Sequence, residues 1–218
     1  DNTGNIYITG YTHGGLDGNI NSGNDDIFIM KLNSTGTKIW TKQFGTINDD
    51  IANGIALDNA GNIYITGYTL GNLDGNINMG ASDMFLAKYN SSGEKQWVRQ
   101  IGTSGAEQGY ALAIDSINNI YVIGTKLIKF NSAGNIIWQR NDSGIDGVMD
   151  TSGNIYLVSG GFYLIKIQVV YSSVLIWANV INYLTTGLYP ETGDNYTSYV
   201  YRVKYLHGDN IAPKIGYP

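Results

Sequence analysis

The chain has 218 residues, a formal net charge of -5 and a sequence isoelectric point near 4.8. No cluster of Lys and Arg exceeds two neighbours, so neither nucleic acid nor an anionic membrane surface is an expected partner. Cysteine is absent, which excludes a disulfide framework, a thiolate zinc site and a cysteine nucleophile. Only 14% of residues are charged, while 43% are apolar, enough to bury a core. The chain holds 29 Gly, 24 Asn, 17 Tyr and 3 Pro. Many Gly and Asn imply many turns, and many Tyr, Ile and Thr imply strands.

In chain order, the first segment is Asp1-Asn-Thr-Gly-Asn-Ile-Tyr-Ile-Thr-Gly-Tyr-Thr12, and it recurs 57 residues later as Asp58-Asn-Ala-Gly-Asn-Ile-Tyr-Ile-Thr-Gly-Tyr-Thr69. Aligned without gaps, residues 1–57 and 58–114 share 31 identities. A third copy opens at Asp115 and a fourth at Asp150, a spacing of 35. The third copy has therefore lost the loop that follows Gly-Tyr-Thr in the first two. The repeats predict units at 1–57, 58–114, 115–149 and 150–182. The second copy with its lead-in predicts four strands, Ile51–Leu57, Asn62–Thr69, Asp83–Tyr89 and Lys95–Ile101. The run Ile27-Phe-Ile-Met30 is apolar on both faces, so both faces of its sheet must be covered. Tandem four-stranded units packed face to face describe an all-β protein, a β-propeller of about four blades, either a small closed ring or part of a larger propeller.

Residues 183–218 carry all three prolines and a C-terminal β segment, Tyr196 to Leu206. Two roles are open for it. It supplies a missing first strand beside Asn5–Thr12 and closes the ring, or it caps an open stack. Phe162 to Leu184 is apolar but contains Lys166, Gln168, Asn179 and Asn182, which favours two buried strands over a membrane span. Asp1 opens inside a strand motif, and no signal peptide is visible.

The motif Asp-x-x-Gly-Asn-Ile-Tyr-Ile-Thr-Gly-Tyr-Thr, then Leu-Asp-Gly-Asn, then Asp-x-Phe-(Ile/Leu)-x-Lys, then Gly-x-x-x-Trp resembles the SBBP-type β-propeller repeat. The resemblance runs from residue 1 to about 181, strongest in the first two copies. It implies a propeller, and a bacterial, secreted or cell-surface protein, without a defined activity.

Candidate chemistry is sparse. Asp17, Asn19, Asn21 and Asp26, and equally Asp74, Asn76, Asn78 and Asp83, place oxygen ligands at alternate positions, as calcium loops do. The alternative is an Asx-rich turn bonding its own backbone. Apart from that calcium, no cofactor is expected. Trp40, Trp97, Trp138 and Trp177 follow the repeat and are expected to dock between blades, with sugar stacking as the alternative. Lys31, Lys88, Lys129 and Lys166 also follow it, either as an anion-binding ring or as strand-face lysines pairing with Asp26 or Asp83. His13 and His207 would meet if the tail closed onto the first unit. Asn33, Asn90, Asn141 and Asn195 fit a glycosylation pattern and read as turns. No paired acid and base, Walker loop or nucleophile elbow occurs, so no enzymatic activity is expected. The leading expectation is a non-catalytic binding or adhesion module for protein or carbohydrate at its loop face. The second is a structural subunit that self-associates through open strand edges.

Overall fold

The computed structural model describes residues 1–159, 163–169 and, as a strand, 198–204. The fold is a β-propeller arrangement of four antiparallel sheets among these residues. The first sheet holds β1 (Ile6–Thr12), β2 (Asp26–Leu32) and β3 (Lys38–Phe44). The second holds β4 (Asp50–Leu57), β5 (Ile63–Thr69), β6 (Asp83–Tyr89) and β7 (Lys95–Ile101). The third holds β8 (Gly109–Ile114), β9 (Ile120–Gly124), β10 (Leu127–Phe130) and β11 (Ile136–Arg140). The fourth holds β12 (Asp146–Met149), β13 (Ile155–Ser159), β14 (Tyr163–Val169) and β15 (Ser198–Lys204). Strands within each sheet follow chain order, and β8 packs against both β4 and β12, so first strands line one side of the stack.

The sequence motif builds its own turn. The Asp58 carboxylate accepts the amides of Ala60 and Asn62 at 2.9 Å, the Asn62 side-chain amide at 2.8 Å and the Tyr64 hydroxyl at 3.2 Å. Asp1, Asp115 and Asp150 repeat that set with Tyr7, Tyr121 and Tyr156. The turn needs a left-handed residue. Gly61 supplies it at φ 78°, and the third copy substitutes Asn118 at φ 63°, the side chain that best tolerates that region after glycine.

The second and third sheets are buried on both faces. One face of each sheet, carrying the Tyr, Lys and Trp positions, packs on the opposite face of the next sheet. Ile27 and Ile29 meet Ile63, Ile65, Phe85 and Ala87 at the first junction. Tyr64, Met84 and Leu86 meet Ile120, Val122 and Phe130 at the second. Tyr121, Ile123 and Leu127 meet Ile155, Leu157 and Ile167 at the third. Backbone bonds tie adjacent sheets as well: the Asp50 amide donates to the Asp25 carbonyl and the Glu107 amide to the Ser82 carbonyl, each at 2.8 Å.

One expectation is corrected. The tail strand does not lie beside β1. β15 pairs along the whole of β14, Tyr163 opposite Lys204 through Val169 opposite Ser198, as the outer strand of the fourth sheet. β14 is a third strand with buried Ile165 and Ile167, and its free edge is the nearest unpaired ladder to the tail. Trp177 lies outside the described residues. The register position that Trp40, Trp97 and Trp138 hold opposite Lys31, Lys88 and Lys129 is taken opposite Lys166 by Tyr201. No helix among the described residues is long and apolar enough to cross a membrane.

Candidate functional site

The long connections after β1 and β5 do not stand up as open loops. Each folds back onto the outer strand of its own sheet. The Gln43 side chain accepts the Leu16 amide at 2.8 Å and donates to Asp26 Oδ2 at 3.1 Å. Gln100 repeats this with Leu73 and Asp83, both at 3.0 Å. Sequence reasoning missed these two glutamines; the signal that could have found them is the recurrence of a polar residue in an outer strand 57 residues on. Asp17 and Asp74 sit at the loop tips in the left-handed region, φ 55° and 54°. Asp17 pairs with Lys38 and accepts the Thr41 hydroxyl at 2.5 Å, and Asp74 pairs with Lys95. The Lys38 and Thr41 bonds hold the Asp17 carboxyl below its ordinary value.

The eight residues of the calcium reading are thus engaged by the protein. Asn19 and Asn76 donate their amides to the carbonyls of Leu16 and Leu73, at 2.7 and 2.8 Å. Asn21 donates to the Gly23 carbonyl, and Asn78 accepts the Gly80 amide at 3.0 Å. Asp26 and Asp83 are fully buried and accept the amides of Ser22 and Met79, at 2.8 and 2.9 Å. Asp17 and Asp74 each hold a lysine instead of facing Asp26 or Asp83. No group of three His, Asp or Glu side chains suited to a metal occurs among the described residues. The loops are Asx-type turns clamped by lysines.

The first two inter-sheet junctions also contain an acidic contact. The Gly45 backbone lies beside both Asp26 and Asp50, and Asp50 accepts the Thr46 amide and hydroxyl and the Thr69 hydroxyl. Burial raises the Asp50 pKa against those hydrogen bonds, and the Asp26 charge adds to the rise. Glu107 holds the same place one repeat on. Burial pushes its carboxyl up, but the Thr103 hydroxyl and amide and Lys126, 3.7 Å away, outweigh that and hold it low.

The repeated lysines do not ring a channel, nor do they pair with Asp26 or Asp83. Cross-strand register puts each beside the motif tyrosine, with the ammonium 5.1, 5.2, 4.9 and 5.4 Å from the ring centroids of Tyr7, Tyr64, Tyr121 and Tyr156. Tryptophan covers three of them from the other side, its ring 6.4, 6.1 and 5.8 Å from Tyr7, Tyr64 and Tyr121. Lys129 is nearly buried. That burial lowers its pKa, opposed by Asp115 at 3.6 Å. Trp40 lies against Gly93 of the second sheet and Trp97 against Gly134 of the third, so these indoles occupy junctions and leave no stacking platform for a sugar. His13 is largely exposed and its Nδ1 is 2.5 Å from Asp25 Oδ1; His207 lies outside the described residues. Asn33 and Asn90 accept the backbone amides of Thr37 and Glu94, as turn residues. A shallow cavity of about 170 Å³ lies between the turns at Asp58 and Asp115, at the end of the sheets away from the long loops, and its acids are already bound into those turns.

Exposed apolar side chains also stand at the loops, while Asp26 Oδ1 and Asp83 Oδ1 are buried with no hydrogen-bond partner. Ile20 and Ile77, 57 residues apart, are 85% and 75% exposed, and Ile47 and Met79 stand exposed on the connections beside them. Gly23 packs directly on the Ile47 backbone, which joins the β1–β2 loop to the β3–β4 turn.

Residues 39–74 and 96–125 match the SBBP family, described as a beta-propeller repeat. The curated relative found is an uncharacterized WD repeat-containing protein, L264, of Acanthamoeba polyphaga mimivirus, 26% identical over 146 residues, which are 61% of this chain and 10% of that protein. The chain thus spans about a tenth of the relative's length. Among solved structures, BamB from Moraxella catarrhalis superposes with a TM-score of 0.43 and 14% identity, covering 85% of this chain and 56% of BamB. Both family matches run from an outer strand with its tryptophan, across a junction, into the next sheet, and over those residues the chain is similar to the SBBP beta-propeller repeat.

Proposed function

We propose that the chain is a non-catalytic, extracellular binding module whose partner is a protein, held at the flank of the first two sheets by the loops after β1 and β5. The observation that carries this reading is the repeated exposure of Ile20 and Ile77 on loops whose polar groups are already paired internally. A carbohydrate site needs free polar groups around an aromatic platform. Here the Asn amides and the tip carboxylates bond within the protein, and Ile20 and Ile77 face outward, which suits a protein surface. The third sheet lacks the loop and still folds, so the loop is dispensable for the blade and available for recognition.

The test is a selection of displayed random peptides on the native chain, repeated on Ile20→Asp/Ile77→Asp. Both side chains are exposed, so the double variant should keep the wild-type melting temperature. Selected peptides should lose at least tenfold in affinity for it. Peptides that bind both proteins equally, or a glycan-array signal that survives the double substitution, would remove the loops from the binding role.

A further inference from the structure

We propose that Asp50 is a proton switch in the first junction: it binds a proton beside the Asp26 carboxylate, and in doing so fixes the two backbone segments that carry Ile20 and Ile47. Asp26 of the first sheet and Asp50 of the second are both 0% exposed. They close on one glycine, and a Cβ on Gly45 would stand 2.3 Å from Asp26 Oδ1 and 3.0 Å from Asp50 Oδ2. Asp26 Oδ1 has no hydrogen-bond donor. Two like charges held this close and out of water repel, and a proton on one of them removes the repulsion. It also turns Asp50 into a donor, beside an acceptor that has no partner.

The repeat supplies its own control. The pair and its glycine recur 57 residues on, as Asp83, Glu107 and Gly102. Thr69, whose hydroxyl bonds to Asp50 in the first junction, is replaced at that offset by Lys126, which stands 3.7 Å from Glu107. The second junction therefore carries a fixed cation where the first has a neutral hydroxyl. Among the described residues no lysine or arginine is ion-paired with Asp26 or Asp50. The other titratable groups at this end are Asp25, in contact with the exposed His13, then Asp49, and the hydroxyls of Tyr11, Tyr68 and Tyr110. Burial raises the Asp50 pKa and the Asp26 charge adds to the rise, against the Thr69 and Thr46 hydrogen bonds.

The switch bears on the proposed binding surface and rests on that reading, because each acid holds a piece of it. Asp26 Oδ2 accepts the Ser22 amide, two residues after Ile20, and the Gln43 side-chain amide that also holds Asn21. Asp50 Oδ2 accepts the amide and hydroxyl of Thr46, next to Ile47. Gly23 packs on the Thr46 and Ile47 backbone and so couples the two segments. A raised pKa places the tight state at low pH, and the segments loosen as pH rises through the raised value.

Methyl and carboxyl resonances of the full chain, followed by NMR between pH 7 and pH 4, test this. The Ile20 and Ile47 methyls should shift together with the Asp50 carboxyl, at one midpoint above 3.8, while the Ile77 methyl stays in place. Asp50→Asn should abolish the shift of both methyls, and His13→Gln, which removes the histidine at this end, should leave it. Lys126→Thr should give Ile77 a titration that follows the Glu107 carboxyl. Comparison of Ile20 with Ile77 in the wild-type protein decides the matter even where a variant does not fold. No partner enters the readout, so the switch and the binding surface fail separately. Ile20 and Ile77 moving alike, a shift that survives Asp50→Asn, or a shift driven by added calcium at constant pH would overturn the proposal.

Discussion

Asp50 and Glu107 show how one residue position responds to its surroundings. Asp50 begins β4 and Glu107 lies two residues before β8, both are buried, and both accept the amide and hydroxyl of the threonine four residues upstream. Their pKa values move in opposite directions. Asp50 is raised above 3.8, by burial first, and Glu107 is lowered below 4.5, because Thr103 and Lys126 outweigh its burial. A raised folded-state pKa means that the folded protein holds the proton more tightly than the unfolded chain does. The Asp50 contribution is then complete at low pH and is lost as pH rises through the raised value. A lowered pKa reverses this, and the Glu107 contribution is present above 4.5 and lost as pH falls. Chemical denaturation of Asp50→Asn and Glu107→Gln between pH 3 and 7 should separate them. Relative to wild type, Asp50→Asn should lose ground as the solution is acidified, and Glu107→Gln should gain it. Parallel changes in the two variants would contradict these surroundings. The sequence marked the two positions as equivalent, but their neighbours Lys126 and Asp26 are brought in by packing that no spacing reveals.

The repeating element is the sheet with its junction, and here the sequence was legible in some parts only. Alternation and turn residues placed the strands of the second sheet within one residue at each end, because Asp58 and Asn90 each build a local turn. The partner of each repeated lysine was not legible. It is set by regular cross-strand register with the preceding strand, Tyr7 opposite Lys31, Tyr64 opposite Lys88 and Tyr121 opposite Lys129, and it turns out to be a tyrosine ring instead of an aspartate. Nor was the arrival of Tyr201 where a tryptophan stands in the other sheets, since β15 reaches its place from far along the chain. The junction itself makes a prediction through glycine. Gly36 and Gly134 have the same left-handed backbone, φ 81° and 80°. A Cβ on Gly36 would meet open space, and one on Gly134 would come within 3.0 Å of Trp97. Gly36→Ala should therefore cost only the backbone term, about 1 kcal/mol. Gly134→Ala should cost that plus displacement of a packed indole, about 2–4 kcal/mol in all. Urea midpoints of the two variants measure the difference, and equal losses would mean that Trp97 moves aside freely.

At the scale of the whole molecule, stability should be graded along the stack. Among the described residues the main contacts of each sheet are with its neighbours, so the four sheets behave as a short one-dimensional array in which inner units gain two junctions and end units one. The second sheet is covered on both faces, and β5 and β6 are almost wholly buried, as is β9 of the third. The first sheet has three strands and an uncovered face, and the short β12 of the fourth is largely exposed. Local opening follows buried contact, so amide exchange should be slowest in β5, β6 and β9 and fastest in β1 and β12. Exchange followed by mass spectrometry should show protection falling outward from the second and third sheets. Uniform exchange would mean that the four sheets open as one cooperative unit, and that the repeated turns and indoles couple the stack more tightly than its burial pattern implies.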